Sequence, residues 1–123
     1  MRAMLTFRIP PEEGNAGLRD GRFTPTLQSI MEDLQPEAAY FGPVEGARGG
    51  YLVVNIDDAP EFCAYAEPLF LGLGATVQIH PVFTPDEVPR VVEIMESAIQ
   101  KYSYVGSTSA GQRSDDPAGG ETD

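Results

Sequence analysis

The chain has 123 residues, 41% of them hydrophobic, which is enough for one domain with a real core and too few for two of ordinary size. Nineteen acidic residues against eight basic ones give a formal net charge of -11, a balance that repels phosphate backbones and anionic membrane surfaces and argues against nucleic acid or membrane as a partner. The lone cysteine, Cys63, excludes an internal disulfide, and no cluster of Cys and His has metal-ligand spacing, so neither a metal nor another cofactor is expected.

The first nine residues are interrupted by Thr6 and Arg8 and are too short for a signal segment or a membrane span, which makes the cytoplasm the expected location. Ala3, Leu5, Phe7 and Ile9 alternate with Met4, Thr6 and Arg8, the pattern of a half-buried strand ended by Pro10 and Pro11. Residues 12 to 21 contain Gly14, Asn15, Gly17 and Gly21 and read as a mobile loop. Phe23, Leu27, Ile30, Met31 and Leu34 then recur at helical spacing; Thr24 is a candidate cap, Pro25 suits the first turn, and the helix should end before Pro36.

Residues 38 to 44 are rich in aromatics but broken by Gly42 and Pro43, and they read as an edge or bulged strand. A glycine-rich turn over residues 46 to 50 leads to the strongest strand signal, residues 51 to 56, with Leu52, Val54 and Ile56 on one face and Tyr51, Val53 and Asn55 on the other. The two strands form a hairpin. Asp57, Asp58 and Pro60 mark a helix entry, and Phe62, Ala66, Leu69, Phe70 and Leu73 supply the apolar stripe of a second helix, which Pro68 bends or shortens and Gly72 and Gly74 stop. Cys63, on this helix, reads as a small buried hydrophobe.

Residues 76 to 83 place Val77, Ile79 and Phe83 on one face and Gln78 and His80, the sole histidine, on the other. Pro85, Asp86 and Glu87 then open a third helix with a seam of Val88, Val91, Val92, Met95, Ile99 and Tyr102, which must be buried on its own subunit or a neighbour. From Ser103 the composition turns to Ser, Gly, Thr, Asp and Pro, giving a folded domain over residues 1 to 102 and a disordered tail over 103 to 123. The element order of the α+β domain is strand, helix, strand, strand, helix, strand, the split βαβ arrangement of ferredoxin-like folds, with a four-stranded antiparallel sheet and both helices on one face.

With this order, and with the ending Val77-Gln-Ile-His-Pro-Val-Phe-Thr-Pro-Asp-Glu-Val88, residues 2 to 102 resemble the dimeric α/β-barrel superfamily, and most of all its small uncharacterised bacterial members. The resemblance implies a homodimer in which two sheets pair face to face around a cavity. Superfamily members include muconolactone isomerases, cofactor-free monooxygenases, aromatic polyketide cyclases, haem enzymes and amino-acid-sensing domains. The haem branch requires an axial histidine on a helix of a much larger chain, and this chain has neither.

Alternation puts Met4, Thr6, Arg8, Tyr51, Val53, Asn55, Gln78, His80 and Val82 on the sheet face away from the helices, a mixture of apolar walls and a few polar groups suited to a small molecule. In the catalytic reading His80 is general acid or base, with Arg8 or Asn55 stabilising an oxyanion, and Thr6, Tyr51, Asn55 and Gln78 contact the substrate. This fits a cofactor-independent cyclase, isomerase or monooxygenase acting on a small hydrophobic, aromatic or polyketide-like molecule. In the competing reading the same groups are interface hydrogen-bonders of a non-catalytic dimeric binding or assembly module.

Overall fold

A computed structural model describes residues 1 to 113, with side chains through Tyr102. Its elements are β1 (Arg2–Arg8), α1 (Pro11–Arg19), α2 (Phe23–Leu34), β2 (Ala38–Val44), β3 (Ala47–Asn55), α3 (Phe62–Leu73), β4 (Thr76–Pro81) and α4 (Val88–Arg113), with 3-10 turns at Ala59–Glu61 and Pro85–Glu87. They fall into two units, Met1–Val82 and a second beginning at Phe83. Of the tail expected to be disordered over residues 103 to 123, residues 103 to 113 belong to α4, and residues 114 to 123 lie outside the described residues.

The first unit is an α+β layer structure. Its four-stranded antiparallel sheet has the order β2-β3-β1-β4, so the two strands that are adjacent to the core, β1 and β3, are central and β2 and β4 are edges. Strand alternation decides which face is dry: Ala3, Leu5, Phe7, Leu52 and Val54 are almost fully buried against Ile30 and Leu34 of α2 and Leu69 and Leu73 of α3. The helices therefore cover one face, and no element of this unit covers the other.

Four local expectations are corrected. Residues 11 to 19 are a helix, α1, rather than a mobile loop. Pro11 opens it, Glu12 and Glu13 sit at its positive end and Arg19 at its negative end, and its buried positions are Gly14 and Gly17. A Cβ on Gly14 would lie 3.0 Å from Arg48 Nη1, and one on Gly17 would lie 3.7 Å from Phe23 Cβ, so this helix packs by its bare backbone. Second, the hairpin turn is only Glu45 and Gly46, with φ of 49° and 81°, the positive pair that a two-residue hairpin turn requires; Gly49 and Gly50 belong to β3.

Third, α2 begins after Arg22 with no side-chain cap, and Thr24 lies inside its first turn. Asp20 instead accepts hydrogen bonds from Arg22 N (3.0 Å) and Nε (2.6 Å), and the side-chain bond holds its carboxyl below the usual range. Fourth, Cys63 is exposed, because the buried stripe of α3 runs through Ala66, Leu69 and Leu73; Gly72 lies within that helix, and Gly74, in the left-handed conformation, ends it.

The acidic entry to α3 works as expected. Asp58 Oδ1 accepts from Glu61 N at 3.1 Å, while Glu61 Oε1 accepts from Asp57 N at 2.6 Å, two side-chain bonds to backbone amides ahead of the helix. Asp58→Ala is expected to lower stability by about 1 kcal/mol, and Asp58→Ser to restore most of it. Urea denaturation reads this directly, and equal midpoints for wild type and Asp58→Ala would contradict the capping role.

In the second unit Thr84 and Glu87 form a capping box: Glu87 Oε1 accepts from Thr84 N at 2.8 Å at the start of the 3-10 turn that leads into α4. The apolar seam of α4 is exposed along Val88, Val92, Met95, Ile99 and Tyr102. No helix among the described residues is long and apolar enough to cross a membrane.

Candidate functional site

The predicted site residues share the uncovered face of the sheet, and pairing registers arrange them in rows. Tyr40, Tyr51, Thr6 and Gln78 stand side by side across all four strands. Ala38, Val53, Met4 and His80 form the neighbouring row, and Gly42, Gly49, Arg8 and Thr76 the row on the other side. Thr6, Tyr51, Met4 and Val53 are half-buried, whereas Gln78 and His80 on the edge strand are exposed. Tyr40, absent from the predicted site, completes the central row and is 68% exposed.

Register also separates groups that the catalytic reading needs together. His80 lies opposite Met4 and Arg8 opposite Thr76, so the two side chains start four residues apart along adjacent strands, about 14 Å at the rise of an extended chain. Asn55 pairs with Arg2, two strands from β4, and its Oδ1 accepts a hydrogen bond from the amino terminus at 3.1 Å. Within the chain neither Arg8 nor Asn55 is placed to stabilise an oxyanion on an atom that His80 deprotonates, since both groups must lie within hydrogen-bonding reach of the reacting centre.

Arg8 has a distinct environment. Its Nε is buried and has no hydrogen-bond partner among the described residues; of its row neighbours, Gly42 and Gly49 have no side chains, and Thr76 donates its hydroxyl to the Arg8 backbone carbonyl at 3.5 Å. A buried guanidinium N–H without an acceptor costs free energy, so this position favours an incoming acceptor. Among the described residues no group of three or more His, Cys, Asp or Glu side chains is arranged to hold a metal ion.

A cleft of about 710 Å³ lies on the opposite, helix-covered side, between the tip of the β2–β3 hairpin, the end of β1, and α1 and α2. Phe7, Phe23, Leu27, Phe41 and Pro43 form apolar walls, and Arg48 and Asn15 are its polar side chains. None of the predicted site residues reaches it. The chain matches no protein-family model and no curated protein.

Proposed function

We propose that the chain is a small-molecule-binding homodimer of ferredoxin-like, dimeric α/β-barrel type, in which the uncovered sheet faces of two copies pair and enclose the ligand. The observation that carries this reading is the uncovered face itself: half-buried Met4, Thr6, Tyr51 and Val53, exposed Tyr40, and the unpartnered Arg8 Nε lie on one continuous surface. A sheet face of this composition is closed most readily by another sheet. The exposed seam of α4 is a further apolar surface for a partner to cover. The separation of His80 from Arg8 and Asn55 favours binding over catalysis, with Thr6, Tyr51 and Gln78 as the central contacts for a small hydrophobic or aromatic ligand.

Light scattering after size exclusion should give twice the 13.3 kDa chain mass. Val53→Asp places a carboxylate in the proposed dry interface without touching the buried core, and it should weaken pairing about tenfold or more. A wild-type protein that stays monomeric at high concentration would overturn the dimer. Titration of labelled protein with 2-naphthol, an uncharged aromatic probe, should shift the amide resonances of Thr6, Tyr51 and Gln78; shifts confined elsewhere would overturn the ligand site.

A further inference from the structure

We propose that the cleft between the hairpin tip and α1 and α2 is a second binding site, taking a planar aromatic carboxylate with its ring against Phe41 and Phe23 and its anionic end on Arg48. Its volume of about 710 Å³ falls in the range of small-molecule sites. The charge of its lining is opposite to that of the molecule. The whole chain carries 19 acidic and eight basic residues, yet the lining contains one basic side chain, Arg48, and no acidic one. A lone guanidinium at the mouth of an apolar cleft recognises an anion through local hydrogen bonds, where the net charge of the protein would otherwise repel it.

The guanidinium is held in place. Arg48 Nη1 donates to Asn15 Oδ1 at 2.9 Å, and the missing side chain of Gly14 leaves the room that Nη1 occupies, since a Cβ there would lie 3.0 Å away. Arg48 thereby ties the hairpin to α1, and its backbone carbonyl accepts from Ile9 N at 2.8 Å, which fixes the strand beneath it. With one N–H engaged by a neutral amide, the planar fork keeps further donors for a carboxylate, the geometry that distinguishes Arg from Lys.

The aromatic preference follows from the walls. Phe7 and Phe41 meet edge to face, with ring centroids 6.4 Å apart and planes at 70°. Phe7 is buried, but Phe41 is 53% exposed, so the arrangement keeps a phenyl surface open beside the cleft. A flat ring placed there gains offset or edge contacts that a flexible alkyl chain does not.

Calorimetric titration of the full chain with 2-naphthoate, neutral 2-naphthamide and octanoate tests each part. Wild type should bind 2-naphthoate about tenfold more tightly than either comparator, the scale of one charge-assisted hydrogen bond. Arg48→Gln should lose about that factor for 2-naphthoate and none for 2-naphthamide, Arg48→Lys should fall between, and Phe41→Ala should weaken both aromatic probes. Arg48 and Phe41 are exposed, so these variants keep the core. Equal affinity for the acid and the amide, a preference that survives in Arg48→Gln, or no saturable binding at about 1 mM would overturn the proposal. Octanoate equal to 2-naphthoate would overturn the aromatic class. Val53→Asp should bind 2-naphthoate as wild type does, which separates this site from the uncovered face.

Discussion

Gly49→Ala is expected to destabilise the protein by about 3 kcal/mol, the upper end of the cost of forcing extra volume into a packed site. Gly49 lies in β3 between Arg8 of β1 and Gly42 of β2, so it is flanked by strands on both sides. A Cβ there would collide with the backbone carbonyl oxygen of Phe7 and come within 2.9 Å of Val44 Cγ2. A flexible side chain can swing aside, but the Phe7 carbonyl belongs to a central strand whose own side chain is buried. Relief therefore requires β1 and β3 to part at this end, next to the 2.8 Å hydrogen bond from Ile9 N to the Arg48 carbonyl. Denaturant titration should show a lowered midpoint, and hydrogen exchange should quicken first at Ile9. An unchanged midpoint would mean that the strands have slack here. By contrast Gly42, in the adjacent position on β2, has open space around it, and Gly42→Ala should be tolerated.

The same glycines explain what could be read in the sequence. α2, α3, β1 and much of β3 were legible because their periodicity is carried by side chains that enter the core: Leu5 and Phe7, Ile30 and Leu34, Leu52 and Val54, Ala66 and Leu69. α1 left no such trace. It approaches its neighbours through Gly14 and Gly17, and a helix whose buried positions lack side chains has no apolar stripe to detect. The first half of β3 was concealed in the same way, since Gly49 and Gly50 resemble a turn in composition but sit between paired strands.

For the site, parity along the strands was enough to place Thr6, Arg8, Tyr51, Asn55, Gln78 and His80 on one face. Cross-strand register was not legible, because it depends on a two-residue turn at Glu45 and Gly46 and on the β1–β4 offset, both set in three dimensions. That offset is what holds His80 and Arg8 apart. The cleft is hidden for a related reason: it needs α1 as a wall, and Arg48, set among glycines, has the composition of a turn although it lies in β3.

Phe7→Ala should have the largest effect of any substitution considered, about 3 to 5 kcal/mol, because it removes a buried ring and leaves a void that the surrounding sheet cannot collapse to fill. Phe7 is 1% exposed, lies opposite Gly50 on one side and Val77 on the other, and belongs to the main core cluster. Its ring passes over Gly50: a Cβ on that glycine would lie 2.9 Å from Phe7 Cε1 and 2.5 Å from the Tyr40 carbonyl oxygen. The pair is thus a large residue fitted to a missing side chain, and truncating Phe7 empties the space that Gly50 leaves. Since domains of this kind are stable by only about 5 to 15 kcal/mol, the variant should show a markedly lowered thermal midpoint or fail to fold at all. Phe7→Leu keeps most of the volume and remains measurable where the alanine variant does not, with an intermediate loss expected. Phe41→Ala supplies the contrast. Phe41 touches the same ring from the exposed side, so its removal should cost less than about 1.5 kcal/mol, the range of an aromatic pair without burial. If the two alanine variants were equally stable, Phe7 would not be the residue that joins the sheet to its helices, and the cleft wall that it shares with Phe41 would have no rigid floor.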